Sequence, residues 1–265
     1  MSQPPNIQPV ISIADCRKVL YMSHLALGDY IYQGAFLKSL VTKYPDLQLD
    51  IWIDDCRSEK KPWHTGRNNT LVQWLSSEPH INYVYPMVNN EDELNRQLKQ
   101  AYVKDYDAII YVATSRTVNF AKTALKIKNQ GQAFGTLTPR KLNNFLNRFV
   151  YKQLDGALTI QQLESFNHVT EFYQDIFFRF FGLVEPERQQ LKLNISYQTR
   201  KQCMTKIEHW KRKYNLDEPN VIFINHLATS KRRSWSRSKL KELIQSVSKN
   251  RPNTLFILNS PPHDF

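Results

Sequence analysis

The sequence predicts an α/β protein with a doubly wound, mostly parallel sheet, followed by a second and smaller Rossmann-like unit. Three observations predict it. Short apolar runs alternate with segments of helical periodicity through the first 127 residues. Polar turns close those runs, the first of them at Gly28-Asp29. A second strand–loop–helix–strand series begins near residue 202, after a polar stretch with the character of an interdomain crossing.

The elements follow in order. Residues 1–17 are Pro-rich and polar and are expected as a loose leader; they hold no apolar run suited to a signal peptide. Residues 18–22, Lys-Val-Leu-Tyr-Met, read as a buried strand. After Gly28-Asp29, apolar residues Ile31, Ala35, Phe36, Leu37, Leu40 and Val41 recur at helical spacing, and Pro45 ends the helix. Leu47, Leu49, Ile51 and Ile53 alternate as a second strand closed by Asp54-Asp55. An exposed loop is expected over 56–70 and a short helix over 71–75. A third strand is expected over 81–85, a helix over 91–102, a fourth strand over 107–112 and a helix over 117–127. Residues 128–165 are less regular, with a helix expected at 145–154. A long helix over 169–181 ends at Gly182 as a C-cap. In the second unit, a basic helix (201–214), a strand (221–225), a loop (228–234), a helix (238–249) and a strand (254–258) follow.

Composition narrows the classes. The chain has 265 residues, 41% apolar and 23% charged, enough for a packed core. The net charge of +12 points to nucleic acid, anionic lipid headgroups or phosphorylated small molecules, or to a solubilising surface. Cys16, Cys56 and Cys203 are widely spaced and form no CxxC pair, which argues against a zinc ribbon and fits a reducing compartment. No run of 18 apolar residues occurs, so no membrane span is predicted.

Two loops stand where doubly wound sheets bind ligands, beyond the carboxyl ends of strands. The first is 23–29. Its Gly28 permits close backbone approach or positive φ, and Asp29 is either an N-cap or a general base that takes a proton from a hydroxyl. No GxGxxG pattern accompanies it. The second is Thr229-Ser230-Lys231-Arg232-Arg233-Ser234-Trp235, in which hydroxyls and cations precede a helix. It reads either as a phosphate cradle or as a solvated basic turn, with Trp235 as a packing anchor. His24 and His226 sit beside the two loops, as substrate contacts or structural histidines; His64 and His168 carry no ligand spacing.

Four segments, in order, resemble glycosyltransferase family 9, the lipopolysaccharide heptosyltransferases. They are KVLYMSHLALGDYIYQGAFLKSLVTKYPDLQLDIWI, YDAIIYVATSR, HVTEFYQDIFFRFFGL and INHLATSKRRSWSRSKLKELI. The resemblance implies the GT-B fold and transfer of a heptose or related sugar from a nucleotide-sugar donor of the ADP-heptose kind. The implied acceptor is an anionic glycolipid of the lipopolysaccharide type, and the implied reaction inverts the anomeric centre without metal or other cofactor. By position, Asp29 matches the family's proposed base, and Thr229 and Ser230 its phosphate-contacting hydroxyls. Arg233 stands where the family usually has Lys, so a planar fork replaces a point charge. Gly28, His24, His226 and Lys231 are the further expected substrate contacts. Asp54-Asp55 lacks the arrangement of a metal-dependent transferase.

The family continues past the equivalent of Phe265 with a Gly- and His-containing loop. The second domain is therefore expected to be incomplete. The expected division is a leader (1–17), an N-terminal acceptor-side domain (18–184), a crossing (185–201) and a partial donor-side domain (202–265). The competing reading is an inactive or truncated remnant of the same fold that binds nucleotide sugar or phosphate. Nucleic-acid binding has no RNP, KH or zinc motif behind it. The expected location is the cytoplasm, with the basic surface suited to the inner membrane face.

Overall fold

A computed structural model of the chain describes residues 9–53, 62–88, 90–138, 145–160, 165–184, 194–227, 232 and 234–259, with backbone alone for 62–67. The chain divides into two compact units, Met1–Asn194 and Ile195–Phe265.

Unit 1 carries strands β1 (Lys18–Ser23), β2 (Gln48–Ile53), β3 (Tyr83–Tyr85), β4 (Ala108–Val112), β5 (Gln132–Leu137) and β6 (Gly156–Thr159). They form one sheet in the order β3-β2-β1-β4-β5-β6. Every pairing is parallel; Tyr21 aligns with Ile51 on one side and Ile110 on the other. Among the described residues, six α-helices accompany the sheet: α1 (Leu27–Lys43), α2 (Pro62–Ser77), α3 (Glu91–Val103), α4 (Thr117–Ile127), α5 (Phe145–Tyr151) and α6 (Val169–Phe181).

The period of two along the strands sorts the core into two layers. Val19 and Tyr21 of β1, Ile51 of β2 and Ile110 of β4 pack with Phe36, Leu37 and Leu40 of α1 and with Phe172, Ile176 and Phe177 of α6. Leu20, Met22, Trp52, Ile109 and Tyr111 face the other way. They pack with Ala101 of α3, Phe120, Ala121 and Ala124 of α4, and Tyr151 of α5. Both faces are covered, which is why the strands read as continuous apolar runs.

Three expectations are corrected here. The leader is not loose over its described part: Ile11 and Ile13 are buried in the first layer, and the Val10 and Ile11 N–H groups donate to the Arg179 and Phe180 carbonyls. Residues 62–70, expected as loop, begin α2, with Pro62 at the first helical position where its missing N–H costs nothing. The irregular stretch 128–165 contains two strands, β5 and β6. Gly135 sits in β5 because the Tyr111 ring of β4 lies across it and leaves no room for a Cβ. Residues 54–61, including Asp54-Asp55 and Cys56, lie outside the described residues.

Unit 2 holds α7 (Tyr197–Lys213), β7 (Asn220–Asn225), α8 (Arg237–Asn250) and β8 (Thr254–Asn259). β7 and β8 pair in parallel, and Leu240 of α8 and Leu255 of β8 are buried. α7 starts four residues before the expected 201, where the Ser196 side chain accepts the Thr199 N–H at 3.1 Å.

Candidate functional site

The order of the sheet has a switch point. Chain direction reverses its sideways progress between β1 and β4, and doubly wound sheets bind ligands beyond the carboxyl ends of strands at that switch point. The two strand ends are tied together: the Ser23 hydroxyl donates to the Val112 carbonyl at 2.8 Å, out of contact with solvent.

On the β1 side, the chain leaves the sheet through His24 and enters α1 at Leu27, with extended Ala26 as the cap residue. Asp29 is thus the third helical residue and not the N-cap, which was one of its two sequence readings. Its Oδ2 accepts the Ala26 N–H at 3.0 Å, one half of a capping box. Asp29 is half-buried, and its charge reaches the α6 residue Tyr173. That phenol is pushed up to about 12, first by burial and then by the nearby Asp29 carboxylate. Tyr173 stacks on Tyr32, with ring centroids 6.4 Å apart. Gly28 is exposed, and a Cβ added there would meet no atom within 4 Å, so the first turn of α1 is open to close approach. Its φ is not positive, so the other role expected of this glycine is not used.

On the β4 side, the loop reaches across to His24. The Arg116 Nη2 lies 2.8 Å from His24 Nδ1, and the Ser115 hydroxyl and carbonyl lie 3.0 and 2.7 Å from Nε2. The His24 ring meets Phe120 edge-on at 4.8 Å. Arg116 caps α4 in the left-handed region, with φ of 52°, a conformation that costs a non-glycine residue energy and that clusters at functional sites. Partial burial pulls its guanidinium below the usual value. Sequence reasoning missed Arg116 as a site residue, although it closes the quoted segment YDAIIYVATSR; its position at the end of β4 was the available signal.

Asp29, Gly28, His24 and Arg116 therefore share one edge. A carboxylate there can accept a proton, a guanidinium can hold an anionic group, and helix N–H groups lie at the same edge. Among the described residues no cluster of three or more His, Cys, Asp or Glu could hold a metal ion.

With this geometry in hand, the chain can be set beside known proteins. No family sequence profile matches it, and no curated protein sequence does. The solved structures similar to it include two glycosyltransferases. The family 9 glycosyltransferase from Veillonella parvula DSM 2008 aligns at TM-score 0.67 and 15% identity over 94% of this chain and 64% of its own. The fold is a GT-B glycosyltransferase fold. E. coli heptosyltransferase WaaC, solved with ADP, aligns at TM-score 0.56 and 16% identity over 93% of this chain and 68% of its own. The family resemblance read from the four segments is thus borne out at the level of the fold, and the chain spans about two thirds of each glycosyltransferase's length.

Within this GT-B fold the second expected loop follows β7. Thr229, Ser230, Lys231 and Arg233 lie outside the described residues. The loop's neck is described: the Trp235 N–H donates to the His226 carbonyl at 2.8 Å, and the Ser236 hydroxyl then accepts the Lys239 N–H to cap α8. His226 Nδ1 is buried and has no hydrogen-bond partner among the described residues. Trp235, expected as a packing anchor, is instead 50% exposed. His168 caps α6 by accepting the Thr170 N–H, a structural role. Among the described residues no helix is long and apolar enough to cross a membrane.

Proposed function

We propose that the chain is a glycosyltransferase that moves a heptose or related sugar from a nucleotide-diphosphate donor to an anionic glycolipid acceptor. The observation that carries this reading is Asp29, half-buried in the first turn of α1 beside an open Gly28, at the carboxyl edge of β1 in a GT-B fold.

In this reading Asp29 takes the proton of an acceptor hydroxyl as that oxygen attacks the anomeric carbon. The new glycosidic C–O bond forms on the face opposite the breaking bond to the diphosphate, so the anomeric centre inverts. Thr229, Ser230 and Arg233, with Lys231 beside them, stabilise the charge gathering on the departing nucleotide diphosphate. Arg116, held against His24, supplies a cation for an anionic group on the acceptor. His24 orients Arg116, and His226 fixes the neck of the donor loop. The similar WaaC was solved with ADP, which supports an adenine nucleotide as the donor's carrier. The excess of positive charge suits work at a membrane face from the cytoplasmic side.

The test is Asp29→Ala, with sugar transfer from ADP-heptose to a heptose-acceptor lipopolysaccharide core read by mass spectrometry. Loss of a general base should lower the rate by roughly 10²–10⁴-fold. ADP affinity by calorimetry should stay unchanged. Full transfer by the variant would remove Asp29 as the base.

A further inference from the structure

Helix α5 presents three large apolar side chains to solvent within little more than one turn: Phe145, Leu146 and Phe149 are 79%, 72% and 63% exposed. Positions 145 and 149 lie one above the other on a helix, with 146 beside them, so the three form one patch. The side facing the protein is already provided for. Tyr151 is buried, and its hydroxyl pairs with the Thr117 hydroxyl at 2.7 Å, fixing α5 to the start of α4.

The patch stands in a positive field. Arg148 and Lys152 are exposed on the same short helix and the turn that follows it. The sequence from 138 to 154 holds Arg140, Lys141, Arg148 and Lys152 and no carboxylate. The next carboxylate, Asp155, is committed elsewhere: it accepts Lys128 Nζ and the Ala133 N–H, both at 2.7 Å. Exposed aromatic and aliphatic tips beside the exposed cations Arg148 and Lys152 match one environment well. The tips enter the acyl boundary of a bilayer, and the cations meet its phosphate headgroups.

We propose that α5 is a membrane-docking surface, with Phe145, Leu146 and Phe149 inserted into an anionic bilayer and Arg148 and Lys152 paired with its headgroups. The proposal deepens the transferase reading and rests on it for its purpose. Tyr151 bonds the residue next to Arg116, and Arg116 contacts His24, so docking through α5 holds the edge that carries Asp29 near the plane where a lipid-borne acceptor resides.

Flotation of the full chain with phosphatidylglycerol–phosphatidylcholine vesicles, and with phosphatidylcholine alone, tests it. The wild type should float with the anionic vesicles and release as salt rises. The double variant F145S/F149S should bind roughly tenfold more weakly or worse, because two aromatic burials are lost. R148E/K152E should lose the preference for anionic vesicles. All four substituted side chains are exposed, so melting temperatures should match the wild type. Wild-type vesicle binding by F145S/F149S, or no binding by the wild type, overturns the proposal. So does a wild-type dimer that F145S/F149S turns monomeric with vesicle binding intact, since a second copy would then cover the patch. ADP binding on the same samples separates the two readings: its loss with flotation intact counts against the transferase alone, and the reverse counts against α5 alone.

Discussion

Two aspartates mark the opposite edges of the unit 1 sheet. Asp50, in β2, is 2% exposed, and three side chains converge on it. Tyr106 donates to its Oδ2 at 2.5 Å, Lys104 Nζ lies 2.7 Å from the same oxygen, and Asn82 donates to Oδ1 at 2.8 Å. Those donors come from the residues that enter β3 and β4, so this carboxylate staples the amino edge of the sheet. The network continues through the Tyr85 hydroxyl, 3.0 Å from that of Tyr106. Burial raises both phenols, Tyr85 to about 12 and Tyr106 further, so both remain protonated donors. Asp29, at the carboxyl edge, accepts the backbone N–H of Ala26 and stands half-buried beside an open glycine. The same functional group is saturated where the sheet is assembled and left accessible where doubly wound folds bind ligands. A carboxylate whose oxygens are taken by side chains that lead into two other strands holds the sheet together; one beside an open first turn can meet a ligand hydroxyl.

The contrast can be broken first at Asp50. Asp50→Ala leaves Tyr106, Asn82 and the half-exposed Lys104 without their acceptor, and should cost about 3 kcal/mol in urea unfolding. A cost near zero would mean that the amino edge does not depend on its staple. A smaller, pH-dependent effect comes from His80, which is partly buried before β3. Burial first, then Lys38, lowers its pKa from 6.5 to about 4, and Glu78 at 3.7 Å is too far for a hydrogen bond to hold the proton. The unfolded chain therefore binds a proton that the folded chain refuses. Stability should fall by about 2–3 kcal/mol as pH drops from 6.5 to about 4 and level off below. In His80→Gln that slope should flatten; an unchanged slope would assign the acid sensitivity to other groups. The smallest effect should come from Asp29→Ala, at most about 1 kcal/mol in unfolding, since half a capping box is lost. A cost as large as that of Asp50→Ala would make Asp29 structural and erase the contrast.

Much of the comparison was legible in advance on the Asp29 side. A strand, a Gly-Asp turn and a periodic helix are local, and each has its own signature within a dozen residues. Asp50 was hidden in a strand whose alternation marked Leu49 and Ile51, because its partners lie 32, 54 and 56 residues away. Arg116 was hidden for the same reason, contacting His24 across 92 residues. Strand β5 escaped because its Gly135 breaks a propensity pattern and is explained only by the Tyr111 ring beside it. Ile11 and Ile13 sit in a Pro-rich segment whose composition says leader, while their burial against α6 says core.

From the chain alone came the alternation of strands and helices, the second strand–helix–strand unit, the place of the Gly28-Asp29 turn and the resemblance that pointed to the fold, since these rest on local periodicity, turn chemistry and short segments in order. The tertiary structure decided which strands are neighbours. By setting β4 beside β1 it brought Ser115 and Arg116 onto His24 at the edge that holds Asp29. It also left the apolar side of α5 facing outward. Strand order and surface exposure depend on contacts between residues far apart in sequence, and such contacts leave no local periodicity to read.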